Sequence, residues 1–249
     1  MIYLVVFLFG LVIGSFLNVC IYRIPLGKSI VFPPSSCPVC DRRIKWYDNI
    51  PVISYILLGG RCRYCKSRIS LVYPAVELLT AVITVGVYKK FGLDINTLFY
   101  LLFCYMLIVG SFVDFKHYII PDRISLGLMV LGLVFGYFAH RFLFSLYGLV
   151  FGFALLYFVA VLGKLLFKKE AMGGGDIKLL GGIGAFVGIK GVLFVLFFSS
   201  LIGSLVGIAL IIAKKTEMSG RIPFGPYLSF AALIYLFFGQ QILRFLGYV

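Results

Sequence analysis

Two groups of residues in this sequence have the types and spacing that chemistry requires. The first is a set of thiols, Cys37-Pro-Val-Cys40 and Cys62-Arg-Tyr-Cys65, two Cys-x2-Cys pairs separated by residues 41–61. That spacing is close to the pattern of four-thiolate zinc sites, in which two knuckles supply a closed tetrahedral shell with no open position for water. The implied role of Cys37, Cys40, Cys62 and Cys65 is therefore structural, with redox-active or vestigial thiols as the other reading. The second group is a pair of carboxylates. Asp114 ends the apolar run Leu101–Val113, and Asp176 follows Gly173-Gly174-Gly175 and opens the next apolar segment. Ionisable groups at the edge of a membrane span are costly unless they are paired or face water, and mark functional sites by default. Two carboxylates sharing one proton can hydrolyse an amide: the ionised one takes a proton from a water, the water attacks the carbonyl, and the protonated one hydrogen-bonds the carbonyl oxygen. The side-chain-free Gly173, Gly174 and Gly175 would let an extended peptide lie close to such a pair.

Bland readings stand beside these. Asp176 can cap a helix beginning at Ile177, and Asp114 can pair with Lys116, Arg123 or Lys178. Asp122, between Pro121 and a helical stretch, reads as a helix cap. Glu77 lies deep in an apolar run and needs a partner there. The other acids, Asp41, Asp48, Asp94, Glu170 and Glu217, fit solvated loops.

The elements that must position these residues follow from composition. Of 249 residues, 62% are apolar and 13% charged, with 23 Lys+Arg against 9 Asp+Glu and a net charge of +14. No water-soluble domain carries that balance, and the apolar stretches are continuous runs, not the alternating segments of a β-barrel. The reading is an all-α polytopic membrane protein of about eight transmembrane helices, at 2–22, 71–88, 96–113, 124–140, 146–167, 177–189, 191–213 and 226–246. The 177–189 segment is short and Gly-rich, a half-helix or one that merges with its neighbour, with the turn expected at Lys190-Gly191. Residues 23–70 form a small extramembrane zinc loop domain, 1–22 the first transmembrane helix and 71–249 the remaining bundle.

Placing the amino terminus outside puts all the basic residues except Lys89, Lys90, Arg141, Lys190 and Arg244 on one side, which the positive-inside rule makes cytoplasmic. The charge excess is then explained by topology and contact with membrane lipid, and no nucleic acid is expected as a partner. The first span lacks a basic leader and a small-residue exit, so it reads as a retained anchor. A reducing cytoplasm disfavours disulfides in the cysteine loop, and a domain this short needs a staple, which zinc supplies. Cys20 and Cys104, in apolar spans, read as small buried hydrophobes. A transporter or channel with ion-binding acids also fits Gly-interrupted spans, but its acids belong near the bilayer midplane and these lie at one edge. A scaffold that recruits a cytosolic partner through the cysteine loop leaves Gly-Gly-Gly-Asp unexplained.

Along essentially its whole length the chain resembles the type IV prepilin peptidases, bifunctional leader peptidases and N-methyltransferases of pilus and type II secretion systems. The resemblance rests on Gly14-Ser15-Phe16-Leu17-Asn18-Val19 with Tyr22-Arg23-Ile24-Pro25, the two Cys-x2-Cys pairs, Arg68-Ile69-Ser70 to Tyr73-Pro74 and Glu77-Leu78, Asp114 with Ile120-Pro121-Asp122, and Gly173-Gly174-Gly175-Asp176, which fits a Gly-x-Gly-Asp motif. It implies an intramembrane aspartyl endopeptidase of the inner membrane that cuts leaders from type IV prepilins or pseudopilins at the cytoplasmic face. It also implies methylation of the new amino terminus with S-adenosylmethionine. By the resemblance Asp114 and Asp176 are the catalytic pair, Asp114 being preferred to Asp122, and Asn18, Arg23 and Glu77 are tied to the methyltransferase half. No Gly-rich strand-to-helix turn locates the methyl donor.

Overall fold

The computed structural model describes residues 1–168, 172–213, 223–245 and 247. Glu170 and Glu217 lie outside the described residues, together with the rest of 169–171 and 214–222 in the expected loops 168–176 and 214–225. Long apolar runs must satisfy every backbone N–H and C=O within themselves, and the helix is the element that does so. The described chain is accordingly helical: α1 (Ile2–Arg23), α2 (Ile53–Leu57), α3 (Val72–Phe91), α4 (Ile95–His117), α5 (Asp122–Phe138), α6 (Phe142–Phe167), α7 (Gly174–Ile212) and α8 (Gly225–Phe245). Five of these, α1, α3, α4, α6 and α7, are long and apolar enough to cross a membrane. The protein is a multi-pass membrane protein.

The chain divides into two compact units, Met1–Val109 and Gly110–Val249. In the first, α1 and α3 pack antiparallel: Gly10 meets Ala81 and Thr84, Gly14 meets Glu77 and Thr80, and the Asn18 amide donates to the Tyr73 carbonyl at 3.0 Å. A Cβ at Gly14 would lie 2.6 Å from the Glu77 Cα. Small residues four apart are thus what lets these backbones approach, as membrane helices lacking a hydrophobic drive between them require. Between the two helices runs the cysteine loop, with one 3-10 turn at Trp46–Asn49 and the short α2.

In the second unit α7 packs against α5, α6 and α8. Phe135 of α5 stacks on Phe186 at 5.1 Å, Gly148 of α6 lies directly against the Gly184 carbonyl, and Phe194 meets Tyr235 of α8 at 5.4 Å. The segments 177–189 and 191–213 form one element broken at Gly188 (φ 69, ψ −177), a conformation open to glycine alone. The break comes two residues before the expected Lys190-Gly191. The Phe144 ring occupies the place a Cβ at 188 would take. The limb 174–187 is about 21 Å long, short of the ~30 Å hydrocarbon core, so it is the half-helix that its glycines suggest.

Candidate active site

The site is built on three chain segments of the second unit, and each ends where its sequence makes it end. The apolar run of α4 stops at Asp114-Phe-Lys-His117, and Tyr118 (φ 56) closes the helix by donating its N–H to the Asp114 carbonyl at 2.8 Å. Pro121 then holds the chain extended before α5, which leaves Ile120 buried between the two helices. The other two segments are helix starts. Gly173 is extended (φ −73, ψ 140) and α7 begins at Gly174; α8 begins at Gly225, where Pro226 suits the first turn of a helix.

These segments meet around Ile120 and Asp114. A Cβ on Gly175 would lie 2.9 Å from Ile120 Cβ, and one on Gly225 would lie 2.8 Å from Asp114 Oδ2 and 2.9 Å from Ile120 Cδ1. Asp114 is buried at 5% exposure, and its Oδ2 accepts the backbone N–H of Gly225 at 3.0 Å. That N–H is one of the donors a helix start cannot satisfy internally, and it sits at the positive end of the α8 dipole, where a carboxylate is favoured. Asp176 lies in the first turn of α7 with its N–H on the Gly173 carbonyl at 3.1 Å. Its Oδ1 is buried and has no hydrogen-bond partner among the described residues. Gly175, next to Asp176, and Gly225, on the Asp114 carboxylate, both pack on Ile120, which brings together the segments that carry the two carboxylates.

The alternatives read from spacing turn out differently. Asp176 is not a cap, because α7 starts two residues ahead of it and Gly173 holds the cap position. Asp122 is not a cap either: Pro121 occupies that position, and the Asp122 carboxylate instead accepts a hydrogen bond from Lys178 Nζ at 2.6 Å. Lys178 is therefore engaged by Asp122 and not by Asp114. Of the three glycines, Gly173 and Gly174 are exposed while Gly175 packs on Ile120. Gly225 has no counterpart in the sequence reading. The only signal for it is the Pro223-Phe-Gly-Pro226 punctuation at a helix start.

The thiols of the first unit form a second centre. Each knuckle has the same local frame: Cys37 N–H donates to the Arg42 carbonyl and Asp41 N–H to the Cys37 carbonyl, just as Cys62 N–H donates to the Ser67 carbonyl and Lys66 N–H to the Cys62 carbonyl. Asp41 (φ 53) and Lys66 (φ 58) make the matching left-handed turns. The four Sγ atoms lie within 4.8 Å of one another, and Cys37 Sγ is 3.8 Å from Cys65 Sγ. Tetrahedral ligands about 2.3 Å from zinc are separated by about 3.8 Å, so the cluster fits such an ion, which these residues would hold in a closed shell. Thiols this close cannot all ionise without a cation. The Ser67 hydroxyl, 3.1 Å from Cys65 Sγ, brings that thiol down to about 6. Cys40, despite a backbone hydrogen bond from Arg42 that pulls it down, is pushed up to about 11 by burial and by its neighbouring thiols. Across the loop, Arg63 grips Asp48 through Nε and Nη2 at 2.6–3.1 Å and holds its carboxyl below the usual range.

Asn18, Arg23 and Glu77 all have partners within this first unit. Arg23 donates to the carbonyls of Ser29 at 3.0 Å and Pro33 at 2.7 Å, and Glu77 Oε2 accepts the Val52 N–H at 2.8 Å.

Comparison with known proteins divides the chain along similar lines. Residues 8–91 match the bacterial peptidase A24 N-terminal domain, and residues 101–208 match the type IV leader peptidase family. A prepilin leader peptidase/N-methyltransferase of Pseudomonas aeruginosa is 38% identical, the alignment covering 95% of this chain and 90% of that protein. The proteins of the same name from Aeromonas hydrophila and Xanthomonas campestris are each 37% identical, with 96% of this chain and 91% and 93% of theirs covered. No solved structure matches. With nine-tenths or more of each of these relatives covered and both halves recognised, the chain belongs to the type IV leader peptidase family.

Proposed function

We propose that the chain is an intramembrane aspartyl endopeptidase that removes the leader of type IV prepilins or pseudopilins and methylates the amino terminus it exposes. The observation that carries the proteolytic half is the gathering of Asp114 and Asp176 at the end of α4 and the start of α7, with the N–H of Gly225 on one oxygen of Asp114. In this reading Asp114, whose Oδ2 already accepts a hydrogen bond, is the ionised member and takes a proton from the attacking water. Asp176 carries the shared proton and donates it to the scissile carbonyl oxygen. The exposed backbone of Gly173 and Gly174 lies beside Asp176 and offers an extended substrate hydrogen-bonding groups with no side chain in the way. A transporter reading would leave membership of a leader peptidase family without a purpose.

Cys37, Cys40, Cys62 and Cys65 would hold zinc in a closed shell, where it would supply folding energy to the loop. S-adenosylmethionine is the methyl donor that family membership suggests. Among the described residues there is no strand, hence no strand-to-helix glycine turn of the kind that cradles nucleotide-like cofactors. The three-part division into the anchor helix 1–22, the zinc loop 23–70 and the bundle 71–249 belongs to this proposal. So does the orientation that puts the loop and both aspartates at the cytoplasmic face of the inner membrane.

The test is incubation of the purified protein in detergent or vesicles with a prepilin peptide, with and without S-adenosylmethionine, followed by mass measurement. A product shortened by the leader, and one methyl group heavier only when the donor is present, is the expected result. An unchanged peptide would sink the peptidase, and a cleaved but never methylated one the transferase.

A further inference from the structure

The cysteine loop carries an apolar face that its own packing leaves uncovered. In α2, Ile53, Ile56 and Leu57 stand three and four residues apart on one helical face, and Ile56 and Leu57 are 69% and 80% exposed. Trp46, in the 3-10 turn packed against α2, is 80% exposed, and Leu71, just before α3, is 72% exposed. The opposite face of α2 is used internally. The buried Ser54 hydroxyl donates to the Tyr47 carbonyl at 2.8 Å and accepts from the Ile50 N–H at 3.0 Å, and the Tyr55 hydroxyl reaches the Ile69 carbonyl at 3.3 Å.

The level at which this face sits is set by Glu77. Because α1 and α3 are antiparallel, the two points where the loop joins them, Arg23 and Val72, lie at the same end of the helix pair. The loop does not stay beyond that end. Val52 N–H bonds to the buried Glu77 carboxylate, five residues past Val72 and so about 8 Å down α3. To do so the chain adopts a γ-turn of the rarer hand, with Val52 at φ 62 and ψ −50 and the Ile53 N–H on the Pro51 carbonyl at 2.6 Å. Such a conformation is strained for a β-branched residue and persists only where its surroundings impose it. The Glu77 carboxylate is bonded to the strained residue itself, and the turn leading into α2 lies beside the outer turns of the α1–α3 pair.

We propose that α2 and Trp46 form an interfacial anchor whose exposed apolar face lies in the boundary between lipid headgroups and acyl chains, laying the zinc loop flat on the membrane. An indole suits that boundary, with its ring in the apolar side and its N–H toward water. Arg42, Arg43 and Lys45 immediately precede Trp46 and complement anionic headgroups. The proposal rests on the multi-pass reading of the chain and not on the catalytic assignment, which the peptide assay tests separately.

Trp46 is the single tryptophan of the chain, so its fluorescence reports this face alone. The full-length protein is reconstituted into phosphatidylcholine–phosphatidylglycerol vesicles whose phosphatidylcholine is plain, brominated near the top of its acyl chains, or brominated near their ends. An anchor buried about 5–10 Å into the boundary loses about twofold or more of its emission to the shallow bromines and much less to the deep ones. Equal emission in plain and shallow-brominated vesicles would place the face in water or against a protein partner and overturn the proposal. Ile56→Asp with Leu57→Asp, both at exposed positions, is expected to abolish most of the quenching. Unchanged quenching in that variant would remove α2 from the anchor. The wild-type measurement stands on its own should the variant fold poorly.

Discussion

The backbone N–H of Gly225 donates to Oδ2 of Asp114 at 3.0 Å, joining the first residue of α8 to the last turn of α4. The contact leaves no room for a side chain, since a Cβ at 225 would meet that same oxygen at 2.8 Å. One residue thus both supplies the donor and clears the space, and it sets where the carboxylate points. Gly225→Ala is expected to displace Asp114 and lower cleavage by about 100-fold, the cost of a misplacement of about an ångström at a reacting centre. Methylation of a synthetic peptide that already lacks its leader should persist in the same preparation. Cleavage at the wild-type rate would mean that Gly225 does not position Asp114.

Replacement of either aspartate separates catalysis from folding. Asp114→Asn and Asp176→Asn are each expected to abolish prepilin cleavage in the mass assay while leaving the helical circular dichroism and the detergent-solubilised size unchanged. Asp122→Asn loses only an exposed ion pair with Lys178, worth at most about 1 kcal/mol, and should still cleave. Retained activity in either of the first two variants would strike that residue from the mechanism.

The elements were more legible in the sequence than the contacts between them. Apolar runs in lipid have to be helices, so six of the eight expected spans coincide with single helices within a few residues, and the other two, 177–189 and 191–213, with the limbs of the bent α7. The thiol cluster was legible because Cys-x2-Cys spacing is itself the geometry of a knuckle. Asp114 and Asp176 stood out because a carboxylate in an apolar run is expensive. What stayed hidden depends on the backbone or on tertiary packing. Gly225 acts through an N–H that nearly every residue has, and only the crowding around it makes glycine matter. The break at Gly188 lies two residues from a more conspicuous Lys190-Gly191. Asp122 looked like a cap because Asp caps well, but Pro121 took that position and freed the carboxylate for Lys178 from a segment far away in sequence.

Two adjacent glycines of the Gly-Gly-Gly-Asp segment have different surroundings and should respond differently. At Gly174 a Cβ meets nothing within 4 Å, whereas at Gly175 it would press on Ile120 at 2.9 Å. Gly175→Ala is expected to perturb the packing that brings α7 to Asp114, lowering both thermal stability, by about 1–3 kcal/mol as overpacking does, and cleavage. Gly174→Ala should leave stability unchanged, so any loss of cleavage there, read as a raised KM for the peptide, reports contact with substrate. Equal thermal destabilisation by both would contradict the packing described for Ile120.

The cysteine loop should stand or fall with its metal. A domain of this size with α2 as its longest helix buries little of its own, and a four-thiolate zinc in a small module is worth on the order of 10 kcal/mol. Purified protein is expected to hold about one zinc per chain, and a strong chelator should make residues 24–71 sensitive to protease while the membrane helices stay intact. Acid should do the same, because the ligands bind as thiolates. Cys65 is held at about 6 against an ordinary 9.0, with the Ser67 hydroxyl as the largest cause. A depressed value stabilises the ionised form fully above the ordinary thiol range, and the gain is lost as the pH falls toward about 6. Bound zinc holds the thiolates ionised to still lower pH, so release on acidification is set by competition between zinc and protons, and Ser67→Ala, which removes a hydrogen bond to the Cys65 thiolate, should move release to higher pH. A variant that releases zinc at the same pH as the wild type would show that Ser67 does not tune the cluster. A protein that resists both chelator and acid with two disulfides in place of zinc would overturn the metal site and, with it, the reducing side assigned to the loop.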